Sequence, residues 1–493
     1  MNVVAVTLWA LLALLTVAIV KQTKPDRNGV RPLVTAGNLV ALLSVFYILM
    51  PGLGLILANA EFTWAPSFGG WDQLSGFFGV TIVGLTLFNL GYYLVQNRKP
   101  TRPRLADRPS ATRATGPGPL EIIVVVACLV IGLALKAYLV QSTGGVVSTL
   151  LRLSSSVRES TNVGDLDAGD LSLRTASGLA DVAAVWIFIR SLSSKRAIAP
   201  ATALLVAVML ISFTTAGKRL TLLLPILAVV VALSVVRMRL SIRLFPVLVS
   251  FAFAFGMGTL LFRIYVPAWL NNVTINLDQV PYAHGSVFLF YMNSLEFSTV
   301  EMSTLAINAR DSIVSMFGGY GNSFYELNIV PFLYTIPRGI WFDKPDTIYD
   351  LSYAVSAIAR GFQVPDPTVG YVTTLIGNSY VMFGPLGVAA SFALFGLAAG
   401  CVDRMRFRRA SWTPASLIGY SVLLVLVFHV FRMGSLGWTF LIGVVQQYGF
   451  LLGFGLLALA SAMDRAWLVG RHAERAPLRG HHGRRSDAVP LRT

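Results

Sequence analysis

Lysine and arginine side chains that border long apolar segments are the first candidates for chemistry in this sequence. Lys218 and Arg219 form a short turn between two such segments, and Arg263 lies about one helical turn inside the end of a third. Arg432 follows directly on a fourth. A charge at the centre of a membrane-spanning helix costs about 2.5 to 3.5 kcal/mol, so these cations are functional candidates by default. The group predicts a polyanion site, because arginine forks match phosphate oxygens.

These cations belong to a larger set on the side of the apolar segments where basic residues are otherwise few. The alternative interpretation is that each one snorkels to lipid headgroups or pairs with a nearby carboxylate. The set comprises Lys136, Arg152, Arg158, Arg174, Lys218, Arg219, Arg263, Arg310, Arg338, Lys344, Arg360 and Arg432.

The segment from Ile336 to Asp350 brings cations and carboxylates together. Arg338 and Lys344 lie between two prolines that restrict the chain direction, and Asp343 and Asp346 flank the lysine. We expect this segment to hold a phosphorylated sugar lipid and to supply a base. The alternative is a surface turn with local ion pairs.

Two further groups of polar residues lie close to apolar helices. Tyr371, Asn378 and Tyr380 precede the glycines between Gly384 and Gly400, and they are placed to meet a sugar, whereas the glycines themselves predict close helix packing. His429 lies one turn before Arg432 and is a candidate general base, a role that typically contributes about 10² to 10⁴ in rate. The alternative for this histidine is a packed, hydrogen-bonded side chain.

Three of these segments resemble the oligosaccharide repeat-unit polymerase family, the Wzy-type polymerases of O-antigen and related surface polysaccharides. The similar segments are the turn Thr214 to Arg219, the Pro-Arg-x-x-Trp-x-x-Lys-Pro stretch Pro337 to Pro345, and the Gly-x-x-Tyr-x-x-Phe-Gly helix Gly377 to Gly384. The family often carries a glutamate after the first glycine of the third segment, where this chain has Asn378. That departure leaves Asp343, Asp346, Glu326 and His429 as candidate bases.

The resemblance implies a metal-independent glycosyltransferase of the bacterial cytoplasmic membrane that uses no cofactor. Its substrate would be an oligosaccharide linked to polyprenyl (undecaprenyl) diphosphate, and its reaction would transfer the growing glycan onto the next lipid-linked repeat unit at the outer face. A chain-length regulator and a flippase are the implied protein partners. Arg219, Arg263, Arg338 and Arg432 are expected to cradle the departing diphosphate. Rival hypotheses are a ligase of the same carrier-linked glycan, a flippase or transporter, and a non-catalytic scaffold.

The elements that position these residues are apolar helices. Hydrophobic residues make up 55% of the chain and charged residues 13%, with a mean hydropathy of +0.68, which is typical of a protein dissolved in lipid. Spans of roughly 20 apolar residues predict an all-α bundle of about eleven transmembrane helices. They lie near 2–20, 33–59, 73–95, 120–140, 176–192, 198–216, 220–236, 244–265, 372–400, 412–431 and 438–463.

The net charge of +16 follows the topology of these spans. Every second connection is basic, so the positive-inside rule predicts an amino terminus outside and a carboxyl terminus in the cytoplasm. Nucleic acid is therefore excluded as the partner, and membrane lipid is the expected surroundings. Three units are predicted: a bundle over 1–463, a structured extracytoplasmic loop over 265–370 between the eighth and ninth spans, and a basic cytoplasmic tail over 464–493.

Overall fold

The computed structural model describes residues 2–25, 31–97, 116–142, 145, 173, 175–192, 194, 196–215, 222–237, 240–270, 298–334, 336, 349–365, 372–408 and 412–475. Within these ranges the regular secondary structure is helical, apart from a single antiparallel bridge between Pro32 and Ser241. The helices are α1 (Val3–Gln22), α2 (Ala36–Ser44), α3 (Met50–Leu57), α4 (Trp71–Asn97), α5 (Pro119–Ser142), α6 (Gly178–Ser191), α7 (Ile198–Thr215), α8 (Leu223–Ala232), α9 (Phe245–Leu270), α10 (Thr299–Asn308), α11 (Arg310–Met316), α12 (Tyr320–Phe324), α13 (Val330–Leu333), α14 (Leu351–Ala359), α15 (Thr374–Arg408), α16 (Pro414–Met433), α17 (Leu436–Gly443) and α18 (Tyr448–Arg475).

Seven helical segments in the described part of the chain are long and apolar enough to cross a membrane. They confirm the prediction of an all-α protein with several membrane-spanning helices. The predicted spans at 176–192, 198–216, 220–236 and 244–265 correspond to α6, α7, α8 and α9, and they are not among the seven, so the count of about eleven stays a prediction. The seven segments are Val3–Gln22, Ala36–Leu57, Trp71–Asn97, Pro119–Ser142, Thr374–Arg406, Pro414–Met433 and Leu436–Leu468.

Helix α15 is broken, although the sequence predicted one continuous span there. Phe383 and Gly384 have non-helical backbone angles, and Gly384 has φ +63°. Pro385 explains the break, because proline lacks the N–H that would bond the carbonyl of Val381 and disfavours a helical conformation in the preceding residue. A Cβ added to Gly387 would lie 2.2 Å from the carbonyl oxygen of Ser379, so the two arms, residues 374–382 and 385–408, meet at a sharp turn.

The second arm of α15 packs closely on α4 through glycines of both helices. A Cβ on Gly91 would lie 2.5 Å from the carbonyl oxygen of Ala393, and one on Gly396 would lie 2.2 Å from that of Phe88. Small residues allow helix backbones to approach this closely in lipid, where close packing drives helix association. The packing role predicted for the glycines between Gly384 and Gly400 is therefore confirmed.

The carboxyl group of Asp403 joins several helices where α4 and α15 end and where α2 and α16 begin. It accepts the backbone N–H groups of Ala36 at 2.7 Å and Gly37 at 3.1 Å, and so caps α2. The hydroxyls of Tyr92 on α4 and Tyr420 on α16 donate to the same carboxyl at 2.6 and 2.9 Å. We call this side of the bundle the basic face. Arg404 and Arg406 follow Asp403 in the chain, and the ammonium of Lys24 donates to the carbonyl of Gln96 near the end of α4.

At the opposite face of the bundle, where α3 ends and α4 begins, Glu301 of α10 binds the segment that connects these two helices. Its two carboxylate oxygens accept the backbone N–H groups of Thr63 and Trp64, each at 2.8 Å. Burial raises the pKa of Glu301 to about 7, and these hydrogen bonds act against that rise. The described parts of the predicted 265–370 loop, including α10 to α14, are thus helical and are packed on the bundle at this face.

A third set of polar contacts fixes α5 against α6 and α18. Glu121 pairs with Arg190 at 2.5 Å and accepts the indole N–H of Trp186 at 2.9 Å. Asp464 of α18 accepts the backbone N–H of Glu121 at 2.8 Å. Because α18 continues to Arg475, the first residues of the predicted tail are helical and take part in the bundle.

The first prediction concerns the buried hydrogen bonds to Asp403. We expect Tyr92→Phe to lower the free energy of unfolding by about 1 to 3 kcal/mol, because it removes a hydrogen bond to a buried carboxyl group and leaves that oxygen with the longer bond from the Gly37 N–H. The neighbouring exposed Tyr93 provides a matched control, since Tyr93→Phe should change that energy by less than about 0.5 kcal/mol. Denaturant unfolding of both variants in micelles checks this, and equal effects would contradict it.

Candidate functional site

Several of the predicted site residues lie outside the described part of the chain. The backbone of Arg263 is described within α9, but its side chain is not. The described site side chains are those of His429, Arg432, Asn378, Tyr380 and Arg360. The predicted site residues outside the described ranges are Lys218, Arg219, Arg338, Asp343, Lys344, Asp346 and Tyr371.

The end of α16 positions Arg432 at the opposite face. Gly434 adopts φ +69° and ends the helix, and Ser435 then caps α17 by accepting the backbone N–H of Trp438. Arg432 is half-buried in the last turn of α16, where the helix dipole favours a cation. Its Nη1 lies 3.6 Å from the sulfur of Met433, which is a weak acceptor. Among the described residues the guanidinium therefore has donors left for a stronger acceptor.

His429 is fully buried one turn before Arg432. Neither of its ring nitrogens has a hydrogen-bond partner among the described residues. Helix α17 runs back along α16 at this point, and a Cβ added to Gly443 would lie 3.2 Å from Cδ2 of the histidine. The packed position predicted as the alternative for His429 is confirmed. The hydrogen bonds expected of an ordinary core histidine are absent among the described residues.

Helix α17 also brings Asp350 to the end of α16. The indole N–H of Trp438 donates to the carbonyl of Tyr349 at 3.1 Å, and the hydroxyl of Ser435 donates to that of Leu327 at 2.6 Å. Asp350 is buried at the start of α14, and the hydroxyl of Ser352 donates to its carboxylate at 3.0 Å. These contacts place the carboxylate of Asp350 close to the last turn of α16.

The electrostatics of Asp350 connect it to Arg432. Burial raises the pKa of Asp350 to about 6, while hydrogen bonds from Ser352 and Leu351 and the positive charge of Arg432 act to lower it. A carboxylate with a pKa near 6 is mostly ionised at neutral pH and remains basic enough to accept a proton. Asp350 and Arg432 thus form a base and a cation within electrostatic reach of each other.

The first arm of α15 packs on the same corner. A Cβ on Gly434 would lie 2.7 Å from Cβ of Asn378 and 2.6 Å from the carbonyl oxygen of Thr374. Asn378 is buried, and its Nδ2 has no hydrogen-bond partner within the described ranges; the same holds for Oγ1 of the buried Thr439 on α17. An unpaired buried donor or acceptor costs about 1 to 3 kcal/mol, so three such side chains around one helix end point to a ligand that pairs with them.

Tyr380 and Arg360 are less closely tied to this corner. Tyr380 is half-buried on the first arm of α15. Arg360 is exposed after the end of α14, with its guanidinium 5.7 Å from the ring centre of Phe362. Because Asp350 and Arg360 flank the two ends of one helix, about 15 Å separates them along its axis. The described structure therefore places Arg360 at the edge of the site.

Two cations of the predicted set have partners within the protein. Lys136 is buried and pairs with Asp181 of α6 at 3.2 Å, and the hydroxyl of Ser212 on α7 donates to the same carboxylate. Nε of Arg310 donates at 3.1 Å to the Val381 carbonyl, which Pro385 leaves without a helical donor. For Lys136 the structure shows the alternative interpretation, pairing with a nearby carboxylate, since Asp181 supplies its countercharge.

Asp350 is the functional candidate that sequence reasoning undervalued. It stood in the sequence only as the last carboxylate of the segment 336–350, although an aspartate directly before an apolar helix is a typical helix cap. That signal predicts its place at the start of α14 but not its burial. Among the described residues no group of three or more His, Cys, Asp or Glu side chains is arranged to hold a metal ion.

Comparisons with known proteins do not assign this site to a family. No protein-family model, no curated protein and no solved structure matches the chain.

The second prediction concerns the buried pair of Lys136 and Asp181. Lys136→Met should lower the free energy of unfolding by about 3 to 5 kcal/mol, because it leaves a buried carboxylate without its countercharge. The double variant Lys136→Met, Asp181→Leu should lie much closer to the original protein. Unfolding measurements in micelles test this, and a double variant that is as unstable as the sum of both single variants would contradict it.

Proposed function

We propose that this chain is a membrane glycosyltransferase that polymerises polyprenyl-diphosphate-linked oligosaccharide repeat units at the outer face of the bacterial cytoplasmic membrane. The resemblance of three segments to the Wzy-type polymerases suggests the reaction. The place of buried Asp350 within electrostatic reach of half-buried Arg432 is the observation that carries it, because the reaction requires a base and a cation in one region.

The two groups have complementary tasks in the proposed reaction. The acceptor sugar hydroxyl attacks the anomeric carbon of the donor sugar and loses its proton to Asp350. The bond between that carbon and the diphosphate oxygen breaks, and its electron pair leaves with the diphosphate. Arg432 stabilises the negative charge that grows on this leaving group. Every proton and electron pair is accounted for without a further reactant.

The unpaired polar groups fit a glycan substrate. The amide of Asn378 and the hydroxyl of Thr439 match the hydroxyls of a sugar, which both donate and accept hydrogen bonds. His429, one turn before Arg432, is a second candidate for the base. Arg219, Arg263 and Arg338 stay sequence predictions for further contacts to the diphosphate.

The location of the site follows from the charge distribution. The positive-inside rule assigns the basic face to the cytoplasm. Asp350 and Arg432 lie at the opposite face, so the proposed reaction takes place on the outer side. A lipid-linked repeat unit is the sugar donor suited to that side, since soluble nucleotide sugars are confined to the cytoplasm.

A transporter or flippase of the same lipid-linked glycan is the second candidate. The break of α15 at Phe383 and Gly384 favours it, because many transporters bind their substrates at discontinuous helices. A ligase would share the cation and base but would use a different acceptor. The three functions predict different products when the gene is deleted.

The third prediction separates these functions. Deletion of the gene should leave glycans of a single repeat unit on lipid carriers in the outer leaflet. The long surface polysaccharide should disappear, and gel electrophoresis of the surface glycans measures this. Loss of a flippase would instead retain the carriers in the inner leaflet, where a membrane-impermeant lectin does not label them. Loss of a ligase would leave long chains on the carrier. Unchanged polysaccharide lengths would exclude the proposed polymerase.

The fourth prediction concerns Asp350 and its dependence on pH. Asp350→Asn keeps the size of the side chain and an oxygen that can accept the Ser352 hydroxyl but removes the base, so it should lower the polymerisation rate by about 10² to 10⁴. The matched control is Asp72→Asn, at an exposed position near the start of α4, which should retain the full rate. Equal activity of the two variants would contradict the assignment.

The pKa of Asp350 sets the sign of the pH effect. The ionised, active carboxylate is lost as pH falls through about 6, so kcat/KM should decline below that pH. Arg432→Gln removes a positive charge that lowers this pKa, and the decline should therefore move to higher pH in the activity that remains. A pH profile of the two proteins checks both statements, and a shift to lower pH would contradict the role of Arg432.

A further inference from the structure

A group of exposed aromatic rings surrounds Arg310 beside the break of α15. The guanidinium carbon of Arg310 lies 4.8 Å from the ring centre of Tyr320 on α12. The rings of Phe324 and Phe383 lie 5.9 Å apart with an interplanar angle of 54°. All three rings are exposed, Tyr320 by 48%, Phe324 by 41% and Phe383 by 60%. We call Arg310 and these three rings the aromatic platform.

Arg310 joins the two parts of this platform. Its Nε is fixed by the hydrogen bond to the Val381 carbonyl, and a Cβ on Gly384 would lie 4.0 Å from its guanidinium carbon. The guanidinium thus lies between Tyr320 and the turn that carries Phe383. Within the described part of the chain this hydrogen bond uses one of the five guanidinium donors, so others remain for a ligand.

Polar side chains border the exposed rings. The hydroxyl of Tyr320 donates to the carboxylate of Asp311 at 3.1 Å, and Asp311 is itself exposed. Ser312 and Asn322 are exposed on the same two short helices, α11 and α12. An exposed carboxylate is costly in hydrocarbon, so this surface is suited to water or to the polar region of the membrane and not to acyl chains.

The platform is close to the proposed site along one short helix. Val381, which Arg310 holds, and Asn378 are three residues apart on the first arm of α15, and such residues are neighbours on a helix surface. Asn378 in turn packs at Gly434, beside Arg432. A ligand with its diphosphate at Arg432 would extend its sugars along this arm.

We propose that the aromatic platform binds a sugar ring of the lipid-linked glycan, with one C–H face of the sugar on the aromatic rings and its hydroxyls bonded to Arg310 and Asp311. This proposal rests on the proposed function and names a subsite for its substrate. Sugars combine an apolar face with a rim of hydroxyls, and the platform offers aromatic faces next to a charged donor and a charged acceptor. The observations favour this occupant over a lipid chain, which has no groups for the polar rim.

The first experiment identifies the occupant directly in cells. The photoreactive residue benzoylphenylalanine replaces Phe383 in the full-length protein, and irradiation links it to whatever lies on the platform. The same residue in place of Tyr138, an exposed aromatic on α5, is the matched control. Adducts that carry sugar are expected at Phe383 and not at Tyr138. Adducts with phospholipid alone at Phe383 would overturn the proposal.

The second experiment separates binding from folding. The full-length protein is placed in nanodiscs with lipid-linked repeat units extracted from the deletion strain. Phe383→Ala should raise KM by about 2- to 10-fold with kcat retained, because one aromatic contact is lost from both the ground state and the transition state. The separate variant Phe383→Tyr should have the KM of the original protein, since it keeps the aromatic ring.

The outcomes distinguish this subsite from the proposed function. An unchanged KM in Phe383→Ala, together with the loss of polymer in Asp350→Asn, would overturn the platform and leave the polymerase. Sugar-bearing adducts in a protein whose deletion leaves polysaccharide length unchanged would support the platform as a glycan site and exclude the polymerase.

Discussion

The carboxyl group of Asp403 is the interaction on which the rest of the bundle depends. It accepts the first N–H groups of α2 and the hydroxyls of Tyr92 and Tyr420, so one side chain joins four helices. Hydrocarbon offers no hydrogen-bonding partners, and groups of this kind must therefore satisfy one another. Asp403 can reach Tyr92 because the glycines of α4 and of the second arm of α15 let the two backbones come close. Close packing and buried polarity are thus coupled at the basic face.

The same rule holds in part at the opposite face. Pro385 removes one helical hydrogen bond, and Arg310 replaces it at the Val381 carbonyl. Polar atoms of Asn378, His429 and Thr439 nevertheless stay unpaired among the described residues. Folding alone would select against such groups, because each one costs free energy without a compensating contact. Sites where local rules fail in an otherwise consistent structure are those where function is expected.

The sequence was sufficient for the long helices and insufficient for the site. Spans such as α1, α5 and α16 are continuous apolar runs, and run length alone predicts them. The break of α15 had local signals in Gly384 and Pro385, but the donor that bonds the freed Val381 carbonyl is Arg310, far away in the chain.

The position of Asp350 shows why the site was harder to predict than the fold. Its burial depends on Trp438, whose indole bonds the neighbouring Tyr349 across 89 residues of sequence. A pattern within one segment cannot reveal such a contact. The segment 336–350 therefore predicted a carboxylate near a cation, but not that Asp350 would be the carboxylate or that Arg432 would be the cation.

The cations away from the basic face show what charge topology can and cannot establish. The positive-inside rule identifies residues such as Lys136 and Arg432 as unusual, but it does not say what neutralises them. Asp181 neutralises the charge of Lys136, so this charge needs no ligand. Arg432 differs, because its Nη1 meets a thioether and Asp350 reaches it through electrostatics. The guanidinium of Arg432 is half-buried and, among the described residues, has further donors. It lies near a carboxylate and unpaired polar groups, so it can bind a phosphate oxygen, whereas Lys136 cannot. The argument for an anionic substrate therefore applies to the corner of Arg432 and not to the whole set of cations.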